Sequence, residues 1–109
     1  MSRQVVVYYS PWCYSSTDTQ RALNEWGVPA RFINIKEDRA AAARLKGWVG
    51  FESVPTVVLA EGDSVEPCEP PAPLAAGASP RGIDRGSMIT EANRAQLRSW
   101  LVKHGFLPG

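Results

Sequence analysis

Five consecutive apolar or aromatic residues, Val5-Val6-Val7-Tyr8-Tyr9, run directly into Ser10-Pro11-Trp12-Cys13-Tyr14-Ser15-Ser16. This stretch limits the fold more than any other. The run is β-branched and aromatic with no polar alternation, which suits a strand covered on both faces. Ser10-Pro11 interrupts it as a turn. From Tyr14 to Trp26 the pattern becomes helical. Ser15, Thr19, Ala22, Leu23 and Trp26 share one face, while Asp18, Gln20, Arg21, Asn24 and Glu25 lie mostly elsewhere. Gly27 is a C-terminal stop and Pro29 prevents continuation. Cys13 therefore stands where a buried strand gives way to a helix. The unpaired N–H groups of a first helical turn, with the positive end of the helix dipole, favour a thiolate at such a place. A free cysteine is most often a small buried residue, but this placement points to a reactive thiol.

The rest of the chain extends the same alternation. Ala30 to Ile35 reads as a second strand with Phe32, Ile33 and Ile35 as its apolar members, and strand, helix, strand makes a βαβ unit with parallel strands. Lys36 to Arg39 is a charged turn. Asp38 caps a second helix from Arg39 to about Gly47, whose Ala40-Ala41-Ala42-Ala43 run has high helix propensity. Gly47 and Gly50 bracket Trp48 and Val49 in the turn that follows. Thr56 to Ala60 reads as a third strand with Pro55 at its head, where a missing N–H is tolerated. Ser64 to Glu66 reads as a short antiparallel edge strand ended by Pro67. Residues from 67 to about 89 carry Pro67, Pro70, Pro71, Pro73 and Pro80 with Gly77, Gly82 and Gly86, and few large apolar residues. They read as one long loop, a kind that is often functional. Thr90 reads as the N-cap of a last helix, Glu91 to His104, with Leu97, Trp100, Leu101 and His104 along one side and Gly105 at its end.

At 109 residues the chain is one domain rather than two. Hydrophobic residues make up 44%, enough for a packed core. Twelve basic against 11 acidic residues leave a net charge of +1, so charge makes no case for nucleic acid or for a membrane surface as partner. No apolar run approaches a membrane span. Met1-Ser2-Arg3-Gln4 leads straight into the first strand with no room for a signal peptide, and the expected location is the cytoplasm. Two cysteines there are not a disulfide framework, and they lack a zinc-ligand spacing, so no metal site is expected. The single His104 reads as a cation at a helix end rather than a ligand or base.

Pro11-Trp12-Cys13-x-x-Ser16 resembles the Cys-x-x-Cys or Cys-x-x-Ser active site of glutaredoxins. Ser53-Val54-Pro55-Thr56 resembles their Thr-Val-Pro segment, and the β-α-β-α-β-(β)-α order is similar to theirs. The chain is thus identified as a glutaredoxin-like member of the thioredoxin-fold superfamily, of the Cys-x-x-Ser type. The match covers residues 4 to 60 and, more loosely, the last helix. It implies an α/β fold with a small mixed sheet flanked by helices, and a cis Pro55 facing the catalytic Cys13. Val54, Pro55 and Thr56 would then receive the substrate, while Pro11, Trp12, Tyr14 and Ser16 support the site. The chain also departs from the family. Ser16 stands where dithiol members have a second cysteine and cannot form a disulfide, although its hydroxyl is placed to donate to the Cys13 sulfur. Tyr14-Ser15 replaces the Gly-Phe of the cluster-binding Cys-Gly-Phe-Ser motif. The family's glutathione-holding Gly-Gly turn and acidic residue before the last helix give way to the Pro-rich loop. The lysine that often precedes the cysteine is missing, which leaves Arg3 or Arg81 to approach in space.

These features imply a monothiol thiol–disulfide oxidoreductase. Cys13 attacks a disulfide, such as a mixed disulfide with glutathione or another low-molecular-weight thiol, on small or protein substrates. No cofactor is tightly bound, and Cys68 stands as a candidate resolving thiol. Two other readings compete. One is a thioredoxin-fold binding module or iron–sulfur carrier with little turnover, favoured by the missing second cysteine and the unusual loop. The other resembles arsenate reductases, which also place a lone cysteine after the first strand. Those enzymes follow it closely with oxyanion-holding cations, whereas here the next basic residue is Arg21.

Overall fold

The computed structural model describes residues 2–109. Its elements are β1 (Arg3–Tyr9), α1 (Tyr14–Glu25), β2 (Ala30–Asn34), α2 (Arg39–Val49), β3 (Thr56–Glu61), β4 (Met88–Thr90) and α3 (Arg94–Lys103). The strands form a single mixed sheet in the order β2-β1-β3-β4. β1 pairs in parallel with β2 and antiparallel with β3, and β4 runs antiparallel to β3.

β1 lies inside the sheet and its alternating side chains feed two cores. Val6 and Tyr8 point to one face, where α2 packs with Ala41, Ala42, Leu45 and Val49. Val5 and Val7 point to the other, against Leu23 of α1 and Leu97, Trp100 and Leu101 of α3. This explains the missing polar alternation in Val5–Tyr9, since both faces are covered.

Four expectations are corrected. α2 does not end at Gly47 but continues to Val49. Trp48 meets the Tyr8 ring edge-on at 5.5 Å and Val49 is buried, while Gly50, at φ 94°, makes the left-handed cap. Tertiary packing here outweighs the propensity cost of one glycine. On α1, Ser16 rather than Ser15 lies on the buried face with Thr19, Ala22 and Leu23. Ser64–Glu66 is not a strand. The fourth strand is Met88–Thr90, inside the stretch that reads as loop. Finally, Thr90 belongs to that strand, and the last helix is capped by Asn93. The Asn93 side chain accepts from the Gln96 N–H and Gln96 reaches back to the Asn93 N–H, a capping box. Leu97, Trp100 and Leu101 are buried as expected, and His104 follows as the C-cap, with its ring nitrogen 2.9 Å from the Gly86 carbonyl.

The connection from β3 to β4 is long but pinned. Cys68 N–H donates to Leu59 O at 2.7 Å, Ser87 Oγ to Glu69 O at 2.7 Å, and Gly82 N–H to Thr90 O at 2.7 Å. Arg85 is only 8% exposed. It donates to Ala72 O at 2.7 Å and to Trp48 O at 2.8 Å, which fastens the loop to the end of α2.

Candidate active site

β1 carries the chain to Tyr9, and a turn at Pro11-Trp12 sets Cys13 at the N-cap of α1 with an extended backbone (φ −101°, ψ 119°). The cysteine backbone closes the turn, its N–H donating to Ser10 O at 3.2 Å and its carbonyl accepting from Thr17 N–H at 3.1 Å. Its side chain makes no capping bond. Instead the thiol points across to the segment entering β3 and donates to Val54 O at 3.7 Å. The Val54–Pro55 peptide is cis. Residues more than forty positions apart in sequence thus meet at one sulfur, because β1 and β3 are neighbours and Tyr8 pairs with Thr56. Cys13 is half-buried, so it remains reachable.

The remaining candidate residues divide into those that brace the site and those that rim it. Ser16 is fully buried and its Oγ accepts from Ser10 N–H at 3.4 Å. It steadies the strand-to-turn junction and makes no bond to the sulfur, contrary to the expected hydroxyl–sulfur contact. Thr56 is also fully buried. Its hydroxyl donates to Ser53 O at 2.9 Å and lies 2.9 Å from Thr90 Oγ1. With its single proton engaged by Ser53, it accepts from Thr90, which ties the Val54–Pro55 segment to β4. Thr56 acts on this segment from below and offers a substrate no side-chain atom. Pro55 is buried and its carbonyl accepts from Glu91 N–H at 2.7 Å. Pro11 is exposed, and Trp12 and Tyr14 stand 85% and 79% exposed on either side of Cys13.

The structure does not bring Cys68 to Cys13. Both are free thiols. Cys68 is held beside Leu59, three residues along β3 from the Thr56 end where Cys13 lies, roughly 10 Å of strand. A disulfide requires a Cα separation under about 7 Å. Of the two arginines, Arg3 lies at the opposite end of β1, paired with Glu61 in the sheet register. Arg81 reaches the site's neighbourhood.

Beside Cys13, between the start of α1 and the start of α3, runs a cleft of about 300 Å³ lined by Tyr14, Ser15, Asp18, Arg81, Glu91 and Arg94 among others. Its charges are paired. Arg94 holds Asp18 at 2.9 Å and also meets Glu25, and Arg81 holds Glu91 at 3.1 Å. The hydrogen bonds from Arg94 keep the Asp18 carboxyl below its ordinary value. The turn before the last helix is Glu91-Ala92-Asn93. Glu91 takes a left-handed backbone (φ 48°), which glycine adopts more readily. The Asn93-x-x-Gln96 spacing was the sequence signal for this turn. Among the described residues, no three His, Cys, Asp or Glu side chains gather as a metal set would.

Comparison with known proteins agrees with this arrangement. No curated protein sequence matches the chain. Among solved structures it is similar to thioredoxin O2 from Arabidopsis thaliana in the oxidised state, with a TM-score of 0.54 over 95% of this chain and 75% of that one, at 15% identity. That likeness concerns the fold. The family model described as Glutaredoxin matches residues 5–65, more than half of the chain and the part that holds both Cys13 and the cis Pro55. With the fold and the matched span in agreement, this chain belongs to the glutaredoxin family of the thioredoxin superfamily.

Proposed function

We propose that Cys13 is the single nucleophile of a thiol–disulfide exchange. The family is one of thiol–disulfide oxidoreductase type. The observation that carries the monothiol reading is the placement of the sulfur between α1 and Val54 with a serine at the position of a resolving thiol. Cys13 caps α1, its Sγ lies 3.7 Å from Val54 O, and buried Ser16 stands where a resolving thiol would be needed.

In the resting thiol the proton is directed at the Val54 carbonyl. On ionisation that donation ends and the sulfur becomes an acceptor, at the helix end where the N–H groups of the first turn of α1 are free. The thiolate attacks one sulfur of a substrate disulfide. The Cys13–S bond forms, the substrate S–S bond breaks, and the departing sulfur leaves as a thiolate and takes up a proton. A second thiolate, from a low-molecular-weight thiol such as glutathione, then attacks the mixed disulfide. It forms a new disulfide with the substrate-derived sulfur and returns Cys13 as thiolate. Each cycle consumes one low-molecular-weight thiol: its sulfur enters the new disulfide in place of the sulfur that left as a thiol, so one thiol sulfur is oxidised as one disulfide sulfur is reduced. An incoming chain lies along Ser53-Val54, where a polypeptide can add its backbone as a further strand. This chemistry suits a reducing compartment such as the cytoplasm.

Turnover of a small glutathione mixed disulfide, coupled to reduction of the oxidised product, tests the reading on wild type, Cys13→Ser and Cys68→Ser. Activity is expected to vanish in the first variant and to stay within about twofold of wild type in the second, since Cys68 does not reach Cys13. Loss in both would assign Cys68 a resolving role. Absence of turnover in the wild type with any low-molecular-weight thiol would leave a binding module.

A further inference from the structure

The three most exposed aromatic side chains among the described residues lie on the two chain segments that meet at the Cys13 sulfur. Trp12 and Tyr14 flank Cys13 in the chain, and Phe51, 68% exposed, lies on the segment that delivers Val54 to the sulfur. Phe51 is three positions before Val54, so their Cα atoms are within roughly 11 Å. The Arg39–Glu52 ion pair holds this segment back against the first turn of α2, which fixes where Phe51 emerges. Exposed apolar surface concentrated at one place marks an interaction site. An aromatic residue offers 150–250 Å² of surface, in typical cases, to whatever seats on it.

The charges around this rim narrow the kind of partner. No residue from Gln4 to Thr17 is charged, and none from Ser53 to Ala60. The carboxylates at the Cys13 end of the sheet already have partners: Asp18 has Arg94, Glu52 has Arg39, and Glu91, whose N–H donates to Pro55 O, has Arg81, while Glu61 lies at the far end of β3. A small thiol bearing several charges must compete with one of these pairs for a countercharge. An extended, uncharged chain with apolar side chains meets no such competition.

We infer that the preferred disulfide is carried by a polypeptide whose cysteine is flanked by aromatic or branched aliphatic residues, which seat on Trp12, Tyr14 and Phe51. This rests on the reading of Cys13 as nucleophile. The exchange is the one written above, with the flanked cysteine leaving as a thiol and a low-molecular-weight thiol as reductant. Contacts at the rim are made equally before and during the sulfur transfer. They therefore act on KM more than on kcat.

The test uses peptides of one length, each with one cysteine in mixed disulfide with 2-mercaptoethanol, flanked by Leu and Phe, by Ser, or by Glu. Bis(2-hydroxyethyl) disulfide serves as a substrate with no flank. Wild type is expected to use the Leu/Phe peptide with a kcat/KM about tenfold or more above the Glu peptide, through KM. In Trp12→Ser/Tyr14→Ser/Phe51→Ser that preference falls to within about twofold, whereas Phe32→Ser, an exposed aromatic on β2, keeps it. Equal use of all peptides by the wild type would overturn the inference. So would a preference that survives in the triple variant. In either case, Cys13-dependent turnover of bis(2-hydroxyethyl) disulfide would leave the nucleophile reading standing. No Cys13-dependent turnover of any substrate would remove that reading, and the inference with it. The peptide preference of the wild type decides the matter even if the triple variant does not fold.

Discussion

Cys13 stands at the start of a helix and Cys68 in a connection bonded to β3, and each is half-buried and free. Their surroundings differ in what supplies the contacts. Around Cys13 the backbone does so: a helix begins at it, a strand ends before it, and a carbonyl from the entry to β3 faces its sulfur. Around Cys68 the backbone is spent on tying the residue to Leu59 O, while the side chain packs against the apolar cluster that includes Val57, Leu59 and Ile89. One thiol stands at a helix end and faces a backbone carbonyl. The other is a peg under a long connection. The difference teaches that what sets the two thiols apart is the junction of elements around each rather than the cysteine itself.

The largest effect that can break this comparison is on turnover. Cys13→Ser is expected to lower kcat/KM by a factor of about 10³ or more, because a serine hydroxyl is a weak nucleophile with no activating base beside it. Cys68→Ser should change it by less than about twofold. A loss of comparable size in both would erase the distinction between the two thiols.

The next effect concerns what holds the second region down. Arg85 is buried, and its guanidinium donates to two carbonyls, Ala72 O and Trp48 O, with Met88 Sδ at 3.8 Å. Burial pushes its pKa below the ordinary arginine value. Arg85→Met fills similar space but leaves both carbonyls without their charged donor. Hydrogen bonds to charged groups contribute about 1.5–3 kcal/mol each, and removal of the charge refunds part of that through lower desolvation, so a net loss of about 2–3 kcal/mol is expected. Urea denaturation measures it. In the same variant Cys68 should be alkylated faster, while Cys13 keeps its rate. Arg85→Lys, a point charge without the fork, should fall between the two. A variant as stable as wild type would show that the loop is held by its apolar contacts alone.

How much of this was legible depends on how local each cause is. The strand–turn–helix around Cys13 could be read because every determinant lies between Val5 and Ser16. The cis Val54–Pro55 peptide and its position opposite Cys13 followed from the family resemblance, not from periodicity. β4 could not be read. Met88-Ile89-Thr90 is short and set among glycines and prolines, and only pairing with β3 makes it a strand. The same holds for the end of α2, where Trp48 is helical because Tyr8 is there to meet it. Ser16 does not meet the sulfur, for a geometric reason. One helical turn from Cys13 its hydroxyl faces inward to Ser10 N–H, and sequence spacing does not reveal that direction. The Arg81–Glu91 and Arg94–Asp18 pairs join residues 10 and 76 positions apart, so no local pattern announces them.

The smallest effect sharpens the comparison at the Cys13 end, where α1 and α3 are joined by the Asp18–Arg94–Glu25 group. Arg94 grips Asp18 with its Nη2 at 2.9 Å and its Nε at 3.2 Å, and this lowers the Asp18 pKa. The sign follows directly. A carboxyl whose folded pKa lies below its unfolded value, about 3.9, adds stability above that value and loses it as pH falls through the folded pKa. Both partners are about a third or more exposed, 41% and 35%, so solvent screens the pair and its worth is about 0.5 kcal/mol. Asp18→Asn should therefore lower stability by about that amount at pH 7. The gap between variant and wild type should close as the pH is taken below the ordinary carboxylate range, and it should shrink in 1 M salt. A gap of 2 kcal/mol or more that persists in acid would mean that Asp18 acts through packing between α1 and α3. The Cys13 region would then depend on a side-chain anchor as much as the loop depends on Arg85.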